Sequence, residues 1–132
     1  MFKQILISKQ RLQLKYFMIF AAFLSLTVSQ LSWAADKDAQ VAWDMIDAGA
    51  MVVDVRTAEE FEAGHLPNAI NIPFERIAAA FKERKIAKDK SVLLYCRSGR
   101  RSGIAFEALV SEGYTNSYNG GGLETLKSAR AK

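Results

Sequence analysis

Two nearly unbroken apolar runs of strand length, Met51-Val52-Val53-Asp54-Val55 and Ser91-Val92-Leu93-Leu94-Tyr95, constrain what this chain can fold into. A strand with one face in water alternates apolar and polar residues, whereas a run without alternation is buried on both faces, as in a parallel sheet covered by helices. Helix-like segments surround both runs. Val41, Ala42, Met45 and Ile46 recur at helical spacing up to Gly49, a C-terminal cap. Thr57 to Ala63 reads as a short helix, with Thr57 and Glu60 spaced as a capping box and Gly64 at its end. His65 to Ala69 then turns into a brief strand, Ile70-Asn71-Ile72, stopped by Pro73. Glu75 to Lys82 is expected to be helical with Ile77, Ala78 and Phe81 inward, and Lys82 to Lys90 a solvated connection. A helix from Arg101 to Ser111 would bury Ile104, Ala105, Ala108 and Leu109 and stop at Gly113. Tyr114 to Asn119 is polar enough for an edge strand, Gly120-Gly121-Gly122 reads as a turn, and a last helix follows from Leu123 to about Ala129. Strands alternating with helices through short links imply one α/β domain, a central and mostly parallel sheet with helices on both faces.

The amino-terminal 34 residues do not fit that alternation. Lys3, Lys9, Arg11 and Lys15 precede an apolar stretch from Tyr16 to Val28, and Ser32-Trp33-Ala34 offers small residues where a signal peptidase reads. The stretch is shorter than the roughly 20 apolar residues needed to span a bilayer. Residues 1–34 are therefore expected to be a secretory signal cut after Ala34, with the periplasm as destination, a polar lead-in over 35–40 and the domain over 41–130. Contact with a membrane is expected only if the signal stays attached. The whole chain carries 18 Lys and Arg against 14 Asp and Glu; the leader holds four of the former and none of the latter, which leaves 14 against 14. The basic balance thus belongs to the leader, and nucleic acid is excluded as a partner.

Chemistry concentrates in one place. The only cysteine stands in Tyr95-Cys96-Arg97-Ser98-Gly99-Arg100-Arg101-Ser102, between the second apolar run and a helix. Ligands of open α/β sheets gather at the carboxyl ends of strands, and free N–H groups at a helix start favour an anion. Arg97, Arg100 and Arg101 add cations, and Gly99 lets successive N–H groups converge on one point. Such surroundings lower a thiol's pKa from its usual value of about 8.5 and make a nucleophile of it. A single cysteine forms no internal disulfide and cannot serve a dithiol oxidoreductase, which needs a resolving thiol. One cysteine and one histidine, with no further cluster, do not make a metal site. His65 beside Pro67 reads as a hydrogen-bonded structural residue. Asp54, at the end of a buried strand, needs a partner, and Arg56 or a loop N–H can supply it, so the two read as loop-ordering residues.

Taken in order, Asp54-Val55-Arg56, the block from Glu60 to Pro73, the block from Tyr95 to Ser102 and Gly120-Gly121-Gly122-Leu123 resemble a single-domain rhodanese, over about residues 41–130. With the leader, the chain is similar to the small periplasmic rhodaneses of bacteria. The resemblance implies a three-layer α/β domain in which the Cys96 thiolate takes the outer sulfur of thiosulfate or a similar anionic donor. It would hold that sulfur as a persulfide and pass it to cyanide or a thiol. Arg97, Ser98, Gly99, Arg100, Arg101 and Ser102 would bind the substrate, no cofactor would be needed, and the protein would act as a monomer. No clear strand precedes the first helix, so the sheet is expected to have one strand fewer at its edge or an irregular start near Asp38 to Gln40.

Two other readings share parts of this pattern. Cysteine phosphatases and arsenate reductases of a related fold place an arginine six residues after the cysteine, where this chain has Ser102, so its loop is one residue short for a tetrahedral oxyanion. A sulfur carrier or protein-binding module of the same fold would carry the same loop and differ from an enzyme in not turning over small donors.

Overall fold

The computed structural model describes residues 37–132, together with Lys3, Gln4, Lys9, Gln10, Arg11, Gln13 and Lys15. The apolar stretch expected to be a signal core and the cut after Ala34 lie outside the described residues. In chain order the domain runs α1 (Ala39–Asp47), β1 (Met51–Asp54), α2 (Ala58–Glu62), β2 (Ile70–Asn71), a 3-10 turn (Phe74–Arg76), α3 (Ile77–Glu83), β3 (Val92–Cys96), α4 (Arg100–Ser111), β4 (Ser117–Gly122) and α5 (Leu123–Arg130). The four strands form one sheet in the order β2-β1-β3-β4, and every pairing is parallel.

The apolar runs behave as two-faced strands. All five residues of β3 are buried, and their side chains part to opposite sides. Val92, Leu94 and Cys96 join Val53, Val55, Ile72, Ile77, Phe81, Ala105 and Leu109 in one core, under α3 and α4. Leu93 and Tyr95 join Val52, Ala42, Trp43, Leu123 and Leu126 in the other, under α1 and α5. Register decides where the site falls. Asp54 lies beside Asn71 on one side and Tyr95 on the other, and Cys96 lies beside Gly122. Residues from all four strands therefore meet at the carboxyl edge of the sheet.

Several element boundaries differ from the sequence expectation. The first helix begins at Ala39, because the Asp38 carboxylate accepts from the N–H groups of Gln40 and Val41 and so caps it. Lys37 N–H donates to Asn119 O at 2.7 Å, so the end of the supposed lead-in is tied to the edge strand as an irregular start. The Thr57–Glu60 capping box is present. In α3 the buried residues are Ile77, Ala80 and Phe81, with Ala78 only half-buried. Ile104 is exposed on α4, whose inner stripe is Ser102, Ala105 and Leu109; turning Ser102 toward Cys96 rotates Ile104 outward. The triple glycine is no turn. It completes β4, with a register shift opposite Leu94 to Cys96 and all three glycines buried. The reason is steric: a Cβ on Gly122 would collide with the carbonyl of Arg97, so only glycine lets the cysteine loop lie against this strand.

Candidate active site

Cys96 is the last residue of β3 and is 1% exposed. Its Sγ accepts a hydrogen bond from Gly99 N–H at 3.0 Å and lies 3.4 Å from the Ser102 hydroxyl. This curl requires Gly99, whose φ of 95° is a left-handed conformation that side-chain-bearing residues rarely adopt. Burial pushes the thiol's pKa up, but the Ser102 hydroxyl and the N–H groups of Ser102, Ser98 and Gly99 outweigh it, and the net shift is downward. The pocket can hold a thiolate without any metal-like charge, using dipoles fixed by the fold.

Asp54 and Arg56 form a buried pair beside the loop. Arg56 Nη2 lies 2.6 Å from Asp54 Oδ2, and its Nε and backbone N–H also donate to the carboxylate. The same guanidinium donates to Gly64 O at 2.7 Å, and Asn71 Nδ2 donates to the carbonyls of Asp54 and Arg56. Tyr95 OH accepts from Leu66 N–H at 3.0 Å, and burial with the neighbouring Asp54 carboxylate raises the phenol's pKa well above the ordinary range. These bonds fasten the end of β1, the turn before β2 and the end of β3 together. Asp54 pairs with Tyr95 across the strands and Arg56 lies over the Tyr95 ring, and neither bonds to the Cys96 sulfur among the described residues.

The three arginines part company. Arg97 and Arg100 are exposed, whereas Arg101 lies in a two-pronged ion pair with Glu60 at 2.7 and 2.9 Å. The Arg101 guanidinium is thus engaged by Glu60 of α2. That pairing holds Glu60 at about 2, well below the usual carboxylate range. Three contributors escaped the sequence reading. Glu60 stands 41 residues from its partner. Asn119 is buried on β4, donating through Nδ2 to Gly99 O and accepting through Oδ1 from the Ser102 hydroxyl at 2.7 Å. The side chain of Lys37 lies over Gly99 and Gly121. None has a local signal, because each reaches the loop from another element. His65 donates from Nδ1 to Phe61 O at 2.8 Å and stacks on the Phe61 ring, as a structural residue would.

A cysteine at the carboxyl end of a parallel strand, curled under by its own loop, sets the comparison with known proteins. The profile of the rhodanese-like domain matches residues 38–129. The chain belongs to the rhodanese-like family. Among curated rhodaneses, the thiosulfate sulfurtransferase PspE of Escherichia coli (strain K12) is 40% identical over 84 residues, 61% of this chain and 77% of that one. A solved rhodanese with anions from E. coli superposes with a TM-score of 0.55 at 37% identity, covering 58% of this chain and 89% of that chain. The rhodanese-like match also reaches a tRNA uridine(34) hydroxylase of Hamiltonella defensa, 36% identical over 65% of this chain but only 26% of that protein. The activity of that longer protein is its own. For this chain the family is that of the rhodanese-like sulfurtransferases.

Proposed function

We propose that the protein is a sulfurtransferase that moves sulfane sulfur from thiosulfate, or a similar small anionic donor, to cyanide or a thiol through a persulfide on Cys96. The observation that carries the reading is the Cys96 sulfur under the Gly99 N–H and the Ser102 hydroxyl, in a loop whose net effect is to favour thiolate. The Cys96 thiolate attacks the outer sulfur of thiosulfate; the new S–S bond forms as the bond to the sulfonate sulfur breaks, and sulfite leaves with the electron pair. Cyanide then attacks the outer sulfur of the persulfide, thiocyanate departs, and the thiolate returns. Each step conserves charge and needs no oxidant or cofactor. Arg97 and Arg100, exposed beside the loop, draw in the dianion, and the loop N–H groups from Arg97 to Ser102 hold the charge on the outer sulfur. The solved E. coli rhodanese with anions agrees with that demand. Phosphatase chemistry is disfavoured because position 102 is serine and the arginine before it is held by Glu60.

We place the protein in the periplasm as a monomer, exported by residues 1–34. Intact mass of the exported protein, before and after thiosulfate and then cyanide, tests both parts. The expected result is one sulfur gained and then lost, no gain in Cys96→Ser, and a chain beginning at Ala35. A reduced, folded protein that never gains sulfur would overturn the reading. One that loads but is not discharged by cyanide would be a carrier serving a partner.

A further inference from the structure

Ser102 is fully buried and Asn119 is 5% exposed, so water does not compete for their polar atoms. A serine hydroxyl has one proton to give, and here two acceptors face it: Asn119 Oδ1 at 2.7 Å and Cys96 Sγ at 3.4 Å. The amide cannot turn its other end toward Ser102. Its Nδ2 donates to Gly99 O at 3.0 Å and its Oδ1 accepts from Gly121 N–H at 3.1 Å, so a flip would set N–H against N–H and carbonyl against carbonyl. We propose that Asn119 is a positioning residue for the nucleophile, its amide oxygen competing with the Cys96 sulfur for the hydroxyl proton of Ser102. The proposal rests on Cys96 being the nucleophile of the function proposed above.

The consequence depends on the state of the sulfur. As a thiol, Cys96 needs no donor, and the hydroxyl proton lies on Asn119 while the Ser102 lone pair faces the sulfur. As a thiolate, the sulfur is the stronger acceptor, and the hydroxyl must leave Asn119 to reach it. Asn119 thereby restrains the thiolate, which keeps the sulfur more basic and a better nucleophile once ionised. The charged groups around the loop are Arg100 and Arg101 at the start of α4, the latter with Glu60 from α2, the Asp54–Arg56 pair at the end of β1, Lys37 over Gly99, and Arg97 on the loop; Tyr95 precedes the cysteine. None of them touches Ser102 or Asn119 through a side-chain hydrogen bond among the described residues, so the exchange is confined to three side chains.

The pH dependence of Cys96 alkylation by iodoacetamide reads this without any turnover. Asn119→Leu is expected to move the midpoint down by up to about one unit, tenfold in thiolate fraction at a fixed pH below the midpoint, with a smaller gain in rate because the less basic thiolate is the weaker nucleophile. In a Ser102→Ala background the same substitution is expected to move it little. An unmoved or raised midpoint in Asn119→Leu, or an undiminished shift in the double variant, overturns the proposal. Should Asn119→Leu fail to fold, the unaltered protein still decides. The carbon-13 resonance of the Asn119 side-chain carbonyl should titrate with the alkylation midpoint and lose that titration in Ser102→Ala; a flat resonance overturns the idea. Sulfur loading from thiosulfate is measured separately. Loading with an unmoved midpoint defeats the role of Asn119 alone, and a shifted midpoint without loading defeats the sulfurtransferase reading alone.

Discussion

Asp54 and Arg56 are two residues apart and both buried, and each satisfies the other's charge. Removing one partner of such a pair strands the other charge in a low-dielectric site, at a cost of about 3–5 kcal/mol. Asp54→Ala is therefore expected to lower the urea midpoint by that equivalent, while Asp54→Leu with Arg56→Met should lose much less, since no charge is left alone. This pair was legible in the sequence because both partners sit on one short segment, and Cys96 was legible because it ends an apolar run. Asn119 was not. A polar residue before three glycines reads as a turn, and only the strand pairing of β4 against β3 shows that its side chain points into the cysteine loop. The same limit applied to Arg101, whose partner Glu60 belongs to another helix.

Among the elements, α2 has no buried residue of its own and depends on its capping box and on the Glu60–Arg101 pair to hold it near α4. The pair ties stability to pH in a defined direction. The folded pKa of Glu60, about 2, lies below its ordinary value of 4.5, so its contribution is complete above about 4.5 and is lost as pH falls toward 2. Glu60→Gln should be less stable than the parent protein at pH 7 by about 1 kcal/mol or less. The gap should close in denaturation curves taken between pH 4.5 and 2, and a gap that persisted at pH 2 would mean the pair is not its source. Helix and strand order was readable from period and run length. Ends were less so: Asp38 capped α1 earlier than the apolar spacing suggested, and α4 turned Ser102 rather than Ile104 inward. Apolar spacing does not weigh a buried hydroxyl that faces a sulfur.

At the scale of the whole molecule, a four-stranded parallel sheet between two helical layers brings every strand end to one edge, and the Cys96 loop lies against Gly122 there. That arrangement leaves Cys96 1% exposed. A sulfur added to it lengthens the side chain by an S–S bond of about 2 Å, so on the persulfide reading the reactive atom of the loaded protein stands farther from the end of β3 than the concealed thiol of the empty one. A bulky maleimide should therefore label the thiosulfate-treated protein faster than the untreated one, while small iodoacetamide should show a smaller preference; equal maleimide rates would count against it. On that reading the loaded and empty forms differ in what an acceptor would meet first, an outer sulfur in the one and a concealed thiol in the other.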